Sequence, residues 1–202
     1  MKIALINASP KFNESASGSL LGRAKTYITG ADTTEIGLHK PSLPQEDVDA
    51  LLAADAWIFA FPLYIDGLPS HLLSCLEQLE KALADGGVTG KRVGAIINCG
   101  FYEGIQTNLA VGIMKNWTAS AGCAWYGGIG AGGGGGLAYM PQTPPGKGPA
   151  APFDSAFEKL TAAITDGQPM DDIYTQIAFP RVLYRMGAQL GWRQAVKANG
   201  LK

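Results

Sequence analysis

The chain has 202 residues, a formal net charge of −1 and 47% hydrophobic residues, enough for one domain with an ordinary buried core. Near-neutrality argues against a nucleic-acid partner, because a phosphate-backbone binder needs a basic footprint. Three cysteines, Cys75, Cys99 and Cys123, stand far apart without CxxC spacing, so neither a metal cluster nor a disulfide framework is expected and a reducing cytoplasm is the expected location. Met1-Lys2 runs directly into the first strand without a signal-peptide pattern, and no apolar stretch reaches membrane-spanning length, so no integral membrane segment is expected.

The apolar run Ile3–Ile6 predicts a strand covered on both faces. A helix is expected from about Ser19 to Thr29, then a short strand at Thr33–Leu38. Val48, Leu51 and Leu52 recur at helical spacing behind Glu46 and Asp47, acids that suit a helix N-terminus. Ala56–Phe61 is the strongest strand signal. Leu72, Leu73, Leu76, Leu79 and Leu83 form one stripe of an amphipathic helix, with Ser70 as its expected N-cap. Val93–Ile97 predicts a fourth strand, Ile105, Leu109 and Ile113 mark a helix, and Ala124–Ile129 is a weaker fifth strand.

Eight glycines between Gly127 and Gly136 predict a loop, which the Pro/Gly-rich stretch Pro141–Pro152 continues. Ser155-x-x-Glu158 has capping-box spacing ahead of Phe157, Leu160 and Ile164. After Gly167 and Pro169 the tail carries Val182, Leu183, Met186 and Leu190 on one helical face, with Arg181, Arg185 and Arg193 elsewhere. Alternating strands and helices predict right-handed βαβ units about a parallel sheet, in a single domain over residues 1–202 with a core over 1–166 and a helical extension over 167–202.

In such sheets ligands bind beyond the carboxyl ends of the strands, which selects three segments. The first is the serine-rich turn from Ser9 through Lys11, Ser15, Ser17 and Ser19. Its hydroxyls, helix-start N–H groups and lysine suit a phosphate monoester, and the same pattern also serves as a plain helix cap. It has neither the triphosphatase Gly-Lys-Ser/Thr signature nor GxGxxG. The second is Pro62 to Pro69, a stiff loop suited to the edge and face of a flat heteroaromatic ligand, or simply a rigid turn. The third is Asn98 to Gly104, where Gly100 permits close backbone approach and Phe101 adds aromatic area. Cys99 has no histidine or lysine nearby in sequence to activate it, so it reads as a packed thiol. His39 and His71 are isolated, Asp66 and Glu103 read as solvated loop acids, and no metal-ligand cluster stands out.

Together Asn7-Ala8-Ser9-Pro10-Lys11, the Ser15/Ser17/Ser19 cluster and Phe61-Pro62-Leu63-Tyr64 with Gly67-x-Pro69 resemble the flavodoxin-like superfamily, in its NAD(P)H-dependent FMN reductase and quinone reductase branch. The resemblance runs along roughly residues 1–165. It implies a three-layer α/β fold whose five-stranded parallel sheet has the order 2-1-3-4-5, with FMN at the switch point between the first and third strands. It further implies that Ser9, Lys11 and Ser17, helped by Ser15 and Ser19, bind the FMN phosphate. Pro62, Leu63, Tyr64 and Gly67 would meet the isoalloxazine, with Asn98, Gly100 and Phe101 closing its other side.

The implied activity is transfer of electrons from NAD(P)H, as co-substrate, through FMN to a small molecule such as a flavin or quinone, with no obligatory side-chain acid or base. A flavodoxin-type electron carrier and a flavin-free binding module are the alternatives on the same fold. Ala8 departs from the family's usual glycine. The Gly130–Gly136 run is read either as a lid over the second substrate or as a surface loop. The tail packs on the sheet or a second subunit, giving a homodimer or higher oligomer, or else touches a membrane surface.

Overall fold

The computed structural model describes residues 1–137 and 144–200. Chain order is β1 (Lys2–Asn7), α1 (Ala16–Lys25), β2 (Asp32–Gly37), α2 (Gln45–Ala53), β3 (Ala56–Pro62), α3 (Ser70–Gly86), β4 (Arg92–Cys99), α4 (Asn108–Ser120), β5 (Ala124–Gly132), a one-turn α5 (Gly134–Leu137), α6 (Ala151–Asp166), β6 (Ile173–Gln176) and α7 (Arg181–Ala198). Short 3-10 turns at Gly104–Thr107 and Gly148–Ala150 precede α4 and α6.

The sheet has six strands, all pairing parallel, in the order β2-β1-β3-β4-β5-β6. This corrects the expected five. The sixth, four residues long, falls inside the stretch read as a helical extension, and so short a strand carries no alternation from which to recognise it. Both sheet faces are covered. Leu51 of α2, Leu72, Leu76, Leu79 and Leu83 of α3 and Met114 of α4 pack on one face around Trp57, Phe59 and Phe61. Leu20, Leu21 and Ala24 of α1 and Phe153, Phe157 and Leu160 of α6 cover the other. Burial on both faces is why β1 and β3 read as continuous apolar runs.

The glycine run is not a loop throughout. β5 continues to Gly132, with Gly130 opposite Ile97 and Gly132 opposite Cys99. Gly130 and Gly132 are there because the 3-10 turn and the residues leading into it lie against the strand. A Cβ on Gly132 would come within 2.6 Å of the Glu103 carbonyl carbon and closer still to Tyr102 O and Gly104 N. One on Gly130 would meet Gly104 O and Tyr174 Cδ1 at 2.7 Å. A lid formed by the whole Gly130–Gly136 run is therefore overturned. Part of the Pro141–Pro152 stretch, residues 141–143, lies outside the described residues.

Helix starts also shift. α1 begins at Ala16 because Ser15 caps it, its Oγ accepting from Gly18 N at 3.0 Å, so Ser17 and Ser19 lie inside the first turn. Ser70 is the first residue of α3 rather than its cap, a position held by Pro69. Pro152 starts α6 earlier than the Ser155 spacing suggested. Ile105, Leu109 and Ile113 are exposed, since α4 turns Ala110, Val111, Met114 and Thr118 inward instead.

Candidate functional site

Parallel register fixes the geometry of the carboxyl rim. Asn7 ends β1 opposite Ala60 of β3, and Pro62 ends β3 opposite Asn98 of β4, so the three loops that follow emerge side by side. The chain winds outward from β1 to β2 and returns to β3 on the other side, which makes the β1/β3 boundary the switch point of the sheet.

The β1–α1 loop is held by its own polar side chains. Ser9 N donates to Asn7 Oδ1 at 3.3 Å and Lys11 N donates to Ser9 Oγ at 3.3 Å. His39, two residues past β2, sits with Nδ1 2.6 Å from Ser9 O, so neutral or charged it donates to that carbonyl. The exposed Phe12 ring lies 5.0 Å from the His39 ring, and Lys40 Nζ stands over the same Phe12 ring, 5.5 Å from its centroid. Three of the serine hydroxyls are engaged within the protein. Ser15 caps the helix, Ser19 Oγ donates to Ser15 O at 3.2 Å, and the buried Ser17 Oγ donates to the buried Asn98 Oδ1 at 2.7 Å. Among the described residues, the backbone N–H groups of Phe12 to Ser17 have no acceptor in the protein. Six consecutive donors without a protein partner, at a helix start and beside the exposed Lys11, are of the chemistry that suits an anion. Glu14, in left-handed conformation with φ 38°, brings a carboxylate to the same loop.

The second loop is a two-residue hairpin. Tyr64 and Gly67 exchange both backbone hydrogen bonds, at 3.1 and 3.0 Å, while Ile65 and Asp66 at its tip have φ of 47° and 57°. A turn with two positive φ values normally takes Asn or Gly, and a β-branched residue there is strained. Leu63 N donates to Asn98 O at 2.8 Å, stitching the hairpin to the end of β4. Tyr64 is 47% exposed, while Ile65 at the tip is fully solvated.

In the third segment Gly100 is exposed, with open space where a Cβ would sit, and Phe101 is 56% exposed. Gly133 N donates to Phe101 O at 2.6 Å and Tyr184 Oη donates to Gly100 O at 2.7 Å. The Cys99 thiol is buried and raised above its ordinary pKa chiefly by that burial, so it stays protonated at neutral pH.

The structure thus joins Ser17 to Asn98, and Asn98 to Leu63. It sets Ser9, Lys11 and Ser15 in one loop, and Pro62, Tyr64 and Gly67 in the neighbouring one. Gly100 and Phe101 flank that pair on the β4 side, and Ser19 faces back along α1. Asn7, His39 and Tyr184 were missed. His39 follows the carboxyl end of β2 and the same rim rule would have flagged it; nothing local links Tyr184 to Gly100. Beside the first loop, a cavity of about 250 Å³ is lined by Asn7, Gly18, Glu35, Gly37 and His39 among others.

Sheet order and rim define a doubly wound α/β protein whose β1 and β3 loops meet at a switch point. Its family is that of the flavodoxin-like fold, which matches residues 1–111, and the chain belongs to it. No curated protein matches the sequence. Among solved structures, an NADPH-quinone reductase from P. pentosaceus shares 15% identity over 80% of this chain and 98% of its own, with a TM-score of 0.58. An NADH:FMN oxidoreductase in its apo form shares 19% identity over 80% and 89%, with a TM-score of 0.57. A flavodoxin from Streptococcus pneumonia TIGR4 shares 13% over 83% and 99%, with a TM-score of 0.56. These likenesses are of fold.

Proposed function

We propose that the protein is an FMN-dependent oxidoreductase that takes electrons from NADH or NADPH and passes them to a small acceptor such as a flavin or quinone. The observation that carries this reading is the run of unpaired N–H groups from Phe12 to Ser17, opening onto the switch point of a flavodoxin-like sheet. Two of the folds it resembles belong to proteins described as an NADH:FMN oxidoreductase and an NADPH-quinone reductase, which supports the oxidoreductase class.

The residues present fit FMN. A phosphate monoester carries close to two negative charges and many acceptor oxygens, and the β1–α1 loop offers backbone N–H groups and Lys11. Ser9, Ser15 and Ser17 act through the backbone they fix, and Ser17 also locks Asn98 at the end of β4. Pro62, Leu63, Tyr64 and Gly67 would border the ring on one side, and Gly100 with Phe101 on the other. When bound, FMN supplies the redox chemistry, taking a hydride from nicotinamide and returning electrons to the second substrate. The chain's work is to hold the phosphate, offer the Tyr64 and Phe101 faces, and keep the Cys99 thiol protonated and out of the chemistry.

Titrating FMN into the purified protein and following its absorbance, then adding NADPH or NADH without oxygen, tests both parts. Saturable binding followed by bleaching of the flavin band is expected. Absence of FMN binding removes the cofactor, and bound flavin that neither nicotinamide bleaches leaves an electron carrier instead.

A further inference from the structure

Helix α7 buries none of its residues. At a rise of 1.5 Å per residue it runs for about 27 Å. It is anchored at its first turn, by the Tyr184 Oη–Gly100 O hydrogen bond, the Tyr184–Tyr102 ring contact at 5.6 Å and the Arg181–Glu103 ion pair at 2.7 Å. Beyond that turn, Gly187 and Gly191 have open space around them and weaken the helix intrinsically. A helix of this length and composition is marginal in water without a surface to pack on.

The character of its free side identifies the surface. Val182, Leu183, Met186, Leu190 and Trp192 are 49% to 69% exposed. On a 3.6-residue period they share one broad half of the helix with Arg181, Arg185, Arg193 and Lys197. Arg185, Gln189 and Arg193 border Val182, Met186 and Leu190 along that side. The opposite half holds Tyr184, Gly187, Ala188, Gly191 and Ala195. From Ile173 to Lys202 the sequence has no Asp or Glu, although acids outnumber bases in the chain as a whole, 17 to 16. We propose that α7 docks this protein on the surface of an anionic lipid bilayer, laying Val182, Met186 and Leu190 into the headgroup boundary with Trp192 at its edge, while Arg185, Arg193 and Lys197 meet lipid phosphates.

The cations share this half with the apolar side chains, so their long stems snorkel past them to the lipid phosphates, and every charge the helix brings to the surface has the sign that anionic lipid attracts. A second copy packed by two-fold symmetry on the same half would set Arg185, Arg193 and Lys197 of one chain against those of the other, with no acid in either helix to pair them. No helix among the described residues, α7 included, is long and apolar enough to cross a membrane, so the contact lies in the plane of the surface.

The test uses the full chain in co-sedimentation with vesicles of phosphatidylglycerol and phosphatidylcholine, against vesicles of phosphatidylcholine alone. Binding to the anionic vesicles at least tenfold stronger than to the zwitterionic ones, and falling with added salt, is expected. Because each cation near the surface contributes about fivefold, R185Q/R193Q should lower partitioning roughly 25-fold. M186A/W192A should weaken it even at low salt. All four side chains are exposed, so these variants fold as wild type does. Failure to bind anionic vesicles, or binding unaltered in R185Q/R193Q, overturns the proposal. So does a lipid-free dimer abolished by M186D/L190D in a protein that ignores vesicles, which would assign α7 to a second copy. None of these readouts requires flavin, so an FMN titration that fails leaves this inference standing.

Discussion

Replacing Gly132 by alanine tests why β5 is built of glycine. The added carbon would lie within 2.6 Å of the Glu103 carbonyl carbon, and nearer still to Tyr102 O and Gly104 N, against an ordinary contact of 3.4 Å. The neighbours are backbone on both sides, so no rotamer change relieves the clash. The Tyr102–Gly104 connection must retreat by roughly 1 Å, at a cost of about 3 kcal/mol for overpacking in a close-packed interior. Lower unfolded-state entropy returns about 0.5 kcal/mol, leaving a net loss of about 2–3 kcal/mol. For a chain of this length that is a fall in Tm of about 5–10 °C. Urea unfolding with an unchanged slope gives the difference directly. Gly22→Ala is the matched control: Gly22 lies on the exposed face of α1 with nothing near its missing Cβ, so it should gain about 1 kcal/mol. The same retreat moves the segment carrying Phe101, so Gly132→Ala should also weaken FMN binding. If Gly132→Ala unfolds within about 0.5 kcal/mol of wild type, the close-packing account of the glycine run is wrong.

Asp154, buried at the start of α6, takes Arg23 Nη2 at 2.7 Å and Gly146 N at 2.7 Å, so Asp154→Ala removes a carboxylate shared by two donors and should cost about 1.5–3 kcal/mol in urea unfolding. Ile65→Asn relieves a β-branched residue at φ 47° without losing burial and should raise the urea midpoint by about 1 kcal/mol of stability; an unchanged or lowered midpoint refutes the strain. Glu14→Gln removes a carboxylate from the β1–α1 loop and should tighten FMN binding about twofold at physiological ionic strength, rising to about fivefold at low salt. Burial lowers His71, whose Nε2 donates to Leu38 O at 3.1 Å, below its ordinary value of 6.5. The unfolded chain therefore takes the proton first. Stability should begin to fall as pH drops through about 6.5 and level off once the folded value is passed, and His71→Gln should flatten that slope in pH-dependent unfolding.

What could be read from residues alone follows from where the physics is local. β1 and β3 declare themselves because both of their faces are buried, and Ile3–Ile6 and Ala56–Phe61 need no neighbour to look like strands. The three rim segments follow from the topology, since any parallel sheet puts the ends of β1, β3 and β4 together. Three features depend on contacts between distant parts of the chain and left no local trace. Gly130 and Gly132 look like loop residues until the turn at Gly104 is laid against them. β6 becomes a strand only because β5 offers an unpaired edge to Ile173–Gln176. The serines look like ligand donors because their hydroxyls are free on paper, yet a hydroxyl that the fold brings beside a buried amide is better spent on it. Ser17 satisfies Asn98, whose carbonyl oxygen would otherwise be stranded in a dry site at a cost of about 1–3 kcal/mol. The consequence is a division of labour that composition cannot reveal. On the proposed function, side chains in the β1–α1 loop fix the backbone, and the N–H groups of Phe12 to Ser17 are left for the anion. On that account Ser17→Ala should harm folding more than phosphate affinity, and a variant that folds as wild type but loses FMN binding would return the role to the hydroxyl.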